Sequence, residues 1–372
     1  MYDVVIIGSG VMGMSVARAL SEYDMRIAVI DRDIPGMHAS YKAGGMLGAQ
    51  NEFIKDSSLF HIARKSQLMF PDLSEQLLDE VAIDIEYLKS GLIKVNATAS
   101  EAAQIREQYQ FLKKYNDAIA LLSEHRVSTL TNGNVDINGR DALHIPDDYQ
   151  VNANRYTKAL LQSITQRKVQ RYYKTEVTSI DSISQGYKVS TQESSIYGKK
   201  VLVAGGAWSS KLLSSKLEMH QVTGVKGEAL LVEHPNLAMD NTLFITNGCY
   251  IIPKMKQRFM IGATSYFDDF SVGVSKSGQD WLVQQAIKYI PKLEESRLIH
   301  KWSGVRPYCK DEHPVMDEVD KGLFVITGHY RNGILLSPYI GALMSEWIVK
   351  GKRPDILSDF KIERSAIDAM YY

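Results

Sequence analysis

The sequence predicts an α/β protein in which a parallel, nucleotide-binding sheet is joined to a second, mainly antiparallel sheet. The first observation is an N-terminal order of strand, glycine-rich turn, helix and strand, with an aspartate closing the second strand. The second is a group of short apolar runs in the middle of the chain, bounded by Gly, Pro, Asn and charged residues, which is typical of antiparallel strands. The third is an apolar strand pattern near residue 325 that leads through two glycines into an apolar helix.

The composition excludes several classes of protein. The chain has 372 residues, enough for one large domain or two joined ones, with 43 Lys plus Arg and 43 Asp plus Glu. This zero net charge argues against broad binding to nucleic acid or anionic membranes, and no apolar run is long enough to span a bilayer. The N-terminus shows no signal-peptide pattern, and Cys249 and Cys309 lie far apart without a C-x-x-C motif. We therefore expect a cytoplasmic protein without a disulfide, a zinc site or another metal.

The N-terminal segment carries a dinucleotide-binding motif. After the apolar run at residues 4–7, Gly8, Gly10 and Gly13 form G-x-G-x-x-G, and Asp31 ends the following strand. The first glycine permits the tight turn, the second lets the backbone approach a pyrophosphate, and the third lets helix and strand pack closely. The helix N-terminus offers free N–H groups to phosphates, and Asp31 can accept hydrogen bonds from ribose hydroxyls. At this point both NAD and FAD remain open.

The segment HASYKAGGMLGAQNEF, residues 38–53, favours FAD, because its small residues allow close backbone passage over a flat ligand where a nicotinamide enzyme usually continues with regular βα units. Together with further motifs in one order, it resembles the FAD-dependent D-amino-acid oxidase and sarcosine oxidase superfamily, and most closely bacterial glycine oxidases of the thiamine-pathway (ThiO) type. The resemblance spans essentially the whole chain. The motifs are AGGMLGA at 43–49, VLVAGGAWSSKL at 201–212, VKGEALLVE at 225–233, CYIIPK at 249–254, MIGATS at 260–265, WSGVRPYCKDEHPVMD at 302–317 and GHYRNGILLSP at 328–338.

This resemblance implies a Rossmann-like FAD-binding domain of the glutathione-reductase/D-amino-acid oxidase type with an α+β substrate domain. It implies oxidative deamination of glycine or another small amine by hydride transfer from Cα to flavin N5. The products would be an oxo acid such as glyoxylate, ammonia and, after reoxidation by O2, hydrogen peroxide. Glycine imine could instead supply thiazole synthesis for thiamine. Relatives also imply a homotetramer and thiazole synthase as a partner, with no nucleic acid or membrane involved.

Arg306 is the main candidate for the substrate site, because a planar guanidinium binds a carboxylate through two donors. From the residues alone, a structural ion pair is an equal alternative. By resemblance, Tyr250 meets the same carboxylate, and Arg331 adds positive potential beside the reduced flavin. Resemblance also assigns cofactor-binding residues along the chain, with Val177 contacting the adenine through its backbone. They are Gly8, Gly10, Val11, Met12, Gly13, Asp31, Arg32, Ala39, Ser40, Gly44, Gly45, Met46, Val177, Gly206, His329, Tyr330, Arg331, Asn332, Gly333, Ile334 and Leu335.

The stretch GHYRNGILLSP explains why a cation and two glycines separate a buried strand from a buried helix. In a flavoprotein, Gly328 and Gly333 let backbone approach the ring, and a helix from about Ile334 points its N-terminus at it. Reduced flavin carries negative charge near N1 and the C2 carbonyl, so a helix N-terminus stabilises it by on the order of 0.3–1 kcal/mol.

We expect a discontinuous FAD-binding domain, residues 1–85, 145–220 and 300–372, and a substrate domain, residues 86–144 and 221–299. Within the substrate domain, SKSGQDWLVQQAIKYIP predicts a helix with Ser277 as its N-cap and Pro291 as its stop.

Two positions depart from the pattern expected of a glycine oxidase. Gly248 and Ser265 stand where larger residues are expected near the pocket. A roomier pocket would also admit sarcosine, N-ethylglycine or small D-amino acids. The spacing of Cys309 from Asp311 differs from that of the flavin-attaching cysteine in sarcosine oxidases, so we expect non-covalent FAD.

Other functions stay open at this stage. A sarcosine oxidase or another small D-amino-acid oxidase or dehydrogenase of the same family is the main alternative, including an enzyme that passes electrons to a quinone. A non-catalytic flavoprotein, or a tRNA-modifying FAD protein, would resemble the oxidases only in its nucleotide domain. The neutral charge and the absence of a basic stripe weigh against RNA binding.

Overall fold

The computed structural model describes residues 1–217 and 222–364. Within them the chain forms two large β-sheets and a two-stranded one, with helices packed against the first sheet and at the outer side of the second. The strands are β1 (Tyr2–Ile7), β2 (Ile27–Ile30), β3 (Met46–Leu47), β4 (Leu92–Val95), β5 (Ala120–Leu122), β6 (Ala142–Ile145), β7 (Tyr149–Gln150), β8 (Gln170–Tyr172), β9 (Val177–Ile183), β10 (Gly186–Thr191), β11 (Ser195–Val203), β12 (Thr223–Glu233), β13 (Thr242–Ile245), β14 (Tyr250–Lys254), β15 (Arg258–Gly262), β16 (Tyr266–Phe267), β17 (Arg297–Tyr308), β18 (Val315–Asp320) and β19 (Leu323–Thr327).

The helices divide between a layer on the first sheet and a few that flank the second. They are α1 (Val11–Leu20), α2 (Ala39–Lys42), α3 (Ser58–Val81), α4 (Ala102–Leu112), α5 (Glu124–Leu130), α6 (Ala153–Gln166), α7 (Ser209–Leu212), α8 (Ser214–Leu217), α9 (Lys276–Tyr289) and α10 (Gly333–Lys350). No helix in the described ranges combines the length and the apolar character needed to cross a bilayer.

The first sheet has the strand order β18-β19-β11-β1-β2-β8, with the hairpin β9–β10 attached to β11. The strands β19, β11, β1, β2 and β8 run parallel. Val4 and Ile6 of β1 pack under the helices α1, α3, α6 and α10, whereas Val5 and Ile7 pack into the core on the opposite face. The continuous apolar run of β1 is therefore explained, because both of its faces are covered.

The second sheet has the order β16-β12-β15-β14-β13-β4-β6-β5, with β17 paired to the other edge of β12. Its pairs are antiparallel except for β13 with β4. Ile93, Leu243, Ile251 and Ile261 point to an outer core shared with α9. Their chain neighbours point the other way, towards the first sheet, so this inner face forms one wall of the space between the sheets.

One row of cross-strand partners on the inner face positions the site. Lys94 lies opposite Phe244, Phe244 opposite Tyr250, and Tyr250 opposite Gly262. The row continues through Ala229 to Trp302 on β17. Side chains that are direct partners in a sheet share a face, so these residues lie side by side although they are distant in sequence.

The predicted division into domains stays a prediction, with one local correction. The boundary at residue 300 cuts through β17, which pairs with β12 along its length, so residues 300–308 belong to the second sheet. Pairing between distant strands leaves no local pattern in the sequence, which explains the error. The boundary between 220 and 221, and the end at 365–372, lie outside the described residues.

Two local expectations can be compared with the helices. The helix α10 begins at Gly333, one residue before the predicted Ile334. The predicted N-cap of α9 is wrong: Ser275 caps this helix, because its Oγ accepts a hydrogen bond from Gly278 N at 3.0 Å. Two serines, at 275 and 277, carry the same capping signal, and the position of the chain on the sheet selects the first.

Candidate active site

A long cavity runs between the two sheets. On one side it is lined by the carboxyl ends of β1, β2, β11 and β19, and on the other by residues of β12, β14 and β17. The carboxyl edge of a parallel sheet, where the strand order reverses, is the usual place for a dinucleotide. The second sheet closes this edge and extends the cavity beyond it.

The turn after β1 is built so that backbone atoms approach one another closely. Gly8 has φ +108°, and a Cβ there would lie 2.3 Å from the carbonyl oxygen of Ala204. A Cβ on Gly13 would lie 2.0 Å from the carbonyl oxygen of Gly8. Both glycines are therefore required by packing, and they hold the N-terminus of α1 open to the cavity.

The far end of the cavity carries the residues expected to face a ribose. Asp31 Oδ2 accepts hydrogen bonds from Ser9 N at 2.7 Å and Ser9 Oγ at 2.6 Å, which fixes the carboxylate. The Arg32 guanidinium stacks 4.1 Å from the centre of the Trp208 ring. Val177, at the start of β9, lines the same end of the cavity.

At the opposite end, the N-terminus of α10 opens into the cavity through Asn332 and Gly333. A Cβ on Gly333 would meet nothing within 4 Å. His329 is 4% exposed, and burial lowers its pKa to about 3, so the ring is neutral near pH 7. Its Nε2 has no hydrogen-bond partner in the described part of the chain. A ligand at this end would therefore meet a helix N-terminus and a buried neutral imidazole.

Arg306 lies on the inner face of β17 and reaches across β12. Its Nη1 donates to the Thr264 carbonyl oxygen and to Ser265 Oγ, each at 3.3 Å, and Nη2 donates to the same carbonyl at 3.3 Å. Among the described residues, it forms no ion pair with an acidic side chain. The alternative of a structural ion pair is thus not seen, and the guanidinium keeps its charge available in the cavity.

Two glycines make room for the large side chains of this end. A Cβ on Gly227 would lie 2.2 Å from Arg306 Nη2, and one on Gly262 would lie 2.5 Å from Cζ of Tyr250. Tyr250 is buried, and its burial raises the pKa of its hydroxyl, so the group is a neutral donor. The positive charges of Arg306 and Arg331 oppose this rise of the pKa, and Arg306 also hydrogen-bonds to the hydroxyl.

Arg331 approaches the same pocket from the loop before α10. Its guanidinium lies 5.1 Å from the centre of the Phe244 ring, and its Nη2 is 3.4 Å from Glu52 Oε1. Glu52 is 4% exposed and lines the cavity. The positive charge of Arg331 is therefore partly balanced by a buried carboxylate.

A half-buried lysine fixes the loop that precedes β3. Lys254 Nζ donates to the carbonyl oxygens of Gly44, at 2.8 Å, and Val151, at 3.1 Å, and to Gln150 Oε1 at 2.8 Å. Its burial lowers its pKa to about 7. Trp302 Nε1 donates to the Lys42 carbonyl oxygen at 2.9 Å, so two residues of the second sheet hold residues 42–45 in place.

The structure brings nearly all the predicted site residues to this one cavity, although their roles stay predictions. Two do not line it. Gly13 does not line the cavity itself but packs against Gly8, which does. Leu335 is 1% exposed and belongs to the core under α10, because it lies one position further round the helix than Ile334. Its assignment to the cofactor stays a prediction, one that only its backbone could fulfil.

Several residues in and next to the cavity were given no role from the sequence. Glu52 and Gly227 line the cavity, and Gly262 and Lys254 lie behind its wall. All four fall within the motifs quoted above, but only their neighbours in the folded chain reveal what they do. The one available signal was the run of small residues in GVKGEA and MIGAT, which breaks the apolar pattern of two strands.

These features fit FAD. The cradle at Gly8 suits a pyrophosphate, the open space at Gly333 suits a flat ring, and the unpartnered Nε2 of His329 offers a hydrogen bond at that level. Cys309 does not line the cavity; its Sγ packs under Gly328, and burial raises its pKa to about 12. This position supports non-covalent binding. No group of His, Cys, Asp or Glu in residues 1–217 and 222–364 could hold a metal ion.

A dinucleotide cradle that opens into a pocket with a guanidinium without an acidic partner in the described residues defines a class: a nucleotide-dependent oxidoreductase that acts on small acids. The chain belongs to the FAD-dependent oxidoreductase family DAO, whose family model matches residues 3–347, and its cofactor is FAD.

Known proteins similar to this chain include glycine oxidases. It is 34% identical over 365 residues to a glycine oxidase of Geobacillus kaustophilus (strain HTA426), covering 98% of this chain and 97% of that one. The crystal structure of glycine oxidase from Geobacillus kaustophilus superimposes with a TM-score of 0.93, covering 98% and 99% of the two chains at 34% identity. A bifunctional ThiO/ThiG protein of Trichormus variabilis is 29% identical over 97% of this chain, which spans 55% of that protein.

Proposed function

We propose that this protein is a glycine oxidase. The observation that carries the proposal is the Arg306 guanidinium, which projects into the cavity beside the Tyr250 hydroxyl without an acidic partner in the described residues. That pair suits the carboxylate of a small amino acid. The similarity to glycine oxidases over almost the whole chain supports glycine as the substrate and does not favour the alternative of a sarcosine oxidase.

The bound FAD supplies a two-electron acceptor for the hydride of the substrate Cα. Arg306 anchors the carboxylate, and Tyr250 donates a hydrogen bond to it. Arg331 and the N-terminus of α10 place positive potential at that end of the cavity. Alignment of the substrate can account for several kcal/mol of the barrier, and the chemistry needs no dedicated base once the amine is neutral. Overall, glycine, O2 and water give glyoxylate, ammonia and hydrogen peroxide.

The proposal is tested with Arg306→Ala. Loss of a two-donor contact to a carboxylate is expected to lower kcat/KM for glycine by about 100-fold or more, mainly through KM, because charge-assisted pairs of this kind are worth roughly 2–5 kcal/mol. The flavin absorbance per protein should not change. For Arg306→Lys, which keeps the charge without the planar two-donor geometry, kcat/KM for glycine should lie between the values of the wild type and of Arg306→Ala. An unchanged KM in Arg306→Ala would remove this residue from the substrate site.

A substrate panel tests how wide the pocket is. Gly248 lines the cavity, and a Cβ there would meet nothing within 4 Å. We therefore expect peroxide formation with glycine, sarcosine and D-alanine, with kcat/KM values within about two orders of magnitude, since a methyl group in a pocket is worth only a few kcal/mol. D-proline completes the panel. A loss of many orders of magnitude on going from glycine to D-alanine would contradict an open pocket.

We also propose a partner, an oligomeric state and a cellular compartment for the enzyme. The ThiO/ThiG fusion supports a thiazole synthase as the partner that takes up the product of glycine oxidation for thiamine synthesis. A cytoplasmic homotetramer follows from the family resemblance, with two unpaired cysteines in keeping with a reducing compartment. Sedimentation of the purified holoenzyme, alone and mixed with a thiazole synthase, measures both assemblies.

A further inference from the structure

Glu52 is a buried carboxylate at the substrate end to which the reaction outlined above gives no task. It lies in the turn after β3, lines the cavity and is 4% exposed. Its Oε1 is 3.4 Å from Arg331 Nη2 and 3.3 Å from Asn51 Nδ2. Its Oε2 is buried and receives no hydrogen bond from any residue in the described ranges. A buried carboxylate oxygen without a donor is costly, which points to a ligand that supplies one.

The turn that carries Glu52 is held rigidly. The Asp148 carboxylate accepts hydrogen bonds from the backbone N–H of Gln50, at 3.2 Å, and of Asn51, at 2.8 Å. Lys94 Nζ, at 3.1 Å, and Gln108 Nε2, at 2.9 Å, both donate to the Asn51 carbonyl oxygen. Because both sides of the turn are fixed, the position of the Glu52 carboxylate is set before any substrate binds.

The surroundings of Glu52 complete an asymmetric pocket. Lys94 and Phe244 are direct partners on the inner face of the second sheet, and Phe244 is the partner of Tyr250. Arg331 contacts both the Phe244 ring and Glu52, so Glu52 lies next to this row of residues, and like Arg306 it lines the cavity. A cation at one end and a carboxylate oxygen at the other match the two charged groups of an amino acid.

We propose that Glu52 is the amine-binding residue of the pocket. With the substrate carboxylate on Arg306, Oε2 accepts a hydrogen bond from the substrate amino group, and Glu52 thereby selects amino acids over other small carboxylates. This inference rests on the proposed function, because it uses the same pocket. Arg331, whose Nη2 is 3.4 Å from Glu52 Oε1, holds the carboxylate and balances its charge, and Lys94 fixes the backbone of the turn.

The test compares the wild-type holoenzyme with Glu52→Gln, which keeps the size of the side chain and an oxygen for Arg331. The dissociation constant of glycine is obtained from the dependence of the rate of anaerobic flavin reduction on glycine concentration. Binding of acetate, a carboxylate without an amine, is titrated by the change in flavin absorbance, and the KM for glycine is measured by peroxide formation. We expect the glycine KM and dissociation constant to rise roughly 30-fold or more in Glu52→Gln. The dissociation constant of acetate should stay within about threefold, with equal flavin content.

Glu233→Gln is the matched control, because Glu233 is also a paired carboxylate of the second sheet, 3.4 Å from Arg258, but lies outside the cavity. It should leave both constants unchanged. If Glu52→Gln weakens acetate as much as glycine, or leaves glycine within about threefold, the assignment is overturned. If the wild type binds glycine more tightly than acetate but forms no peroxide, the proposed oxidase function fails, whereas the ratio of the two dissociation constants still reports on Glu52.

Discussion

The side chains of the substrate end take their positions from glycines on neighbouring strands. Gly227 leaves the space that the Arg306 guanidinium occupies, and Gly262 leaves the space under the Tyr250 ring. A glycine inside a strand weakens the strand but allows a close approach. Here it makes room for two long side chains, both of which line the cavity.

Gly262→Ala is therefore expected to displace Tyr250. The added methyl group would overlap the ring, which should lower the free energy of unfolding by about 1–3 kcal/mol and reduce kcat/KM for glycine by at least about tenfold. Urea unfolding and peroxide kinetics measure the two effects. In a Tyr250→Ala background, Gly262→Ala should hardly change the free energy of unfolding, because the ring that its methyl group would overlap is absent. An equal cost in both backgrounds would contradict this account of Gly262.

At the scale of elements, a residue of the second sheet fixes the loop before β3, which lines the cavity. Lys254, at the end of β14, donates to carbonyl oxygens on residues 44 and 151, and so joins the sheet to the loop before β3. The three donors of the Lys254 ammonium satisfy three partly buried acceptors that would otherwise lack partners. The glycine-rich loop at residues 42–45 is thus held in place by hydrogen bonds from the second sheet.

Lys254→Met should loosen this loop. Three acceptors lose their donor, and we expect the dissociation constant of FAD to rise by about tenfold or more, since each unsatisfied buried group costs roughly 1–3 kcal/mol. Fluorescence titration of the apoprotein with FAD measures this. Lys256→Met, an exposed lysine in the next turn, is the control and should bind FAD as the wild type does. Equal affinity in the two variants would show that Lys254 does not order the loop.

At the scale of the whole molecule, burial of His329 between the sheets makes the protein less stable at acid pH. Burial lowers the pKa of His329 to about 3 from an ordinary 6.5. Between these values the unfolded chain binds a proton that the native state does not, so stability decreases as the pH falls through this window. The imidazole is uncharged in the native state from near neutrality down to about pH 3.

His329→Gln should have a shallower dependence of stability on pH. Between pH 6 and pH 4 the wild type should lose up to about 1.4 kcal/mol more per pH unit than the variant, as expected for one titrating group. Urea unfolding at a series of pH values gives the two curves. His125→Gln, at an exposed histidine, should run parallel to the wild type. Parallel curves for His329→Gln would contradict the lowered pKa.

The sequence alone determined the local features. The order Gly8, Gly10 and Gly13 between an apolar strand and a helix indicates the cradle, because tight turns and helix packing leave a short-range signature. The start of α10, to within one residue, and several strands of each sheet follow from patterns of a few residues, whereas Arg306 was chosen over a structural ion pair by the family resemblance. FAD itself was inferred from the resemblance, and the family to which the chain belongs confirms it.

Only the tertiary structure decided which distant residues meet. The place of β17 in the second sheet, the row from Lys94 to Tyr250, and the carboxylate of Glu52 beside Arg331 depend on strand register and on packing between sheets. A buried lysine or glutamate has no periodicity of its own, and its neighbours lie tens to hundreds of residues away. The charges that complete the pocket are therefore fixed by the fold, because long-range packing brings them to one place.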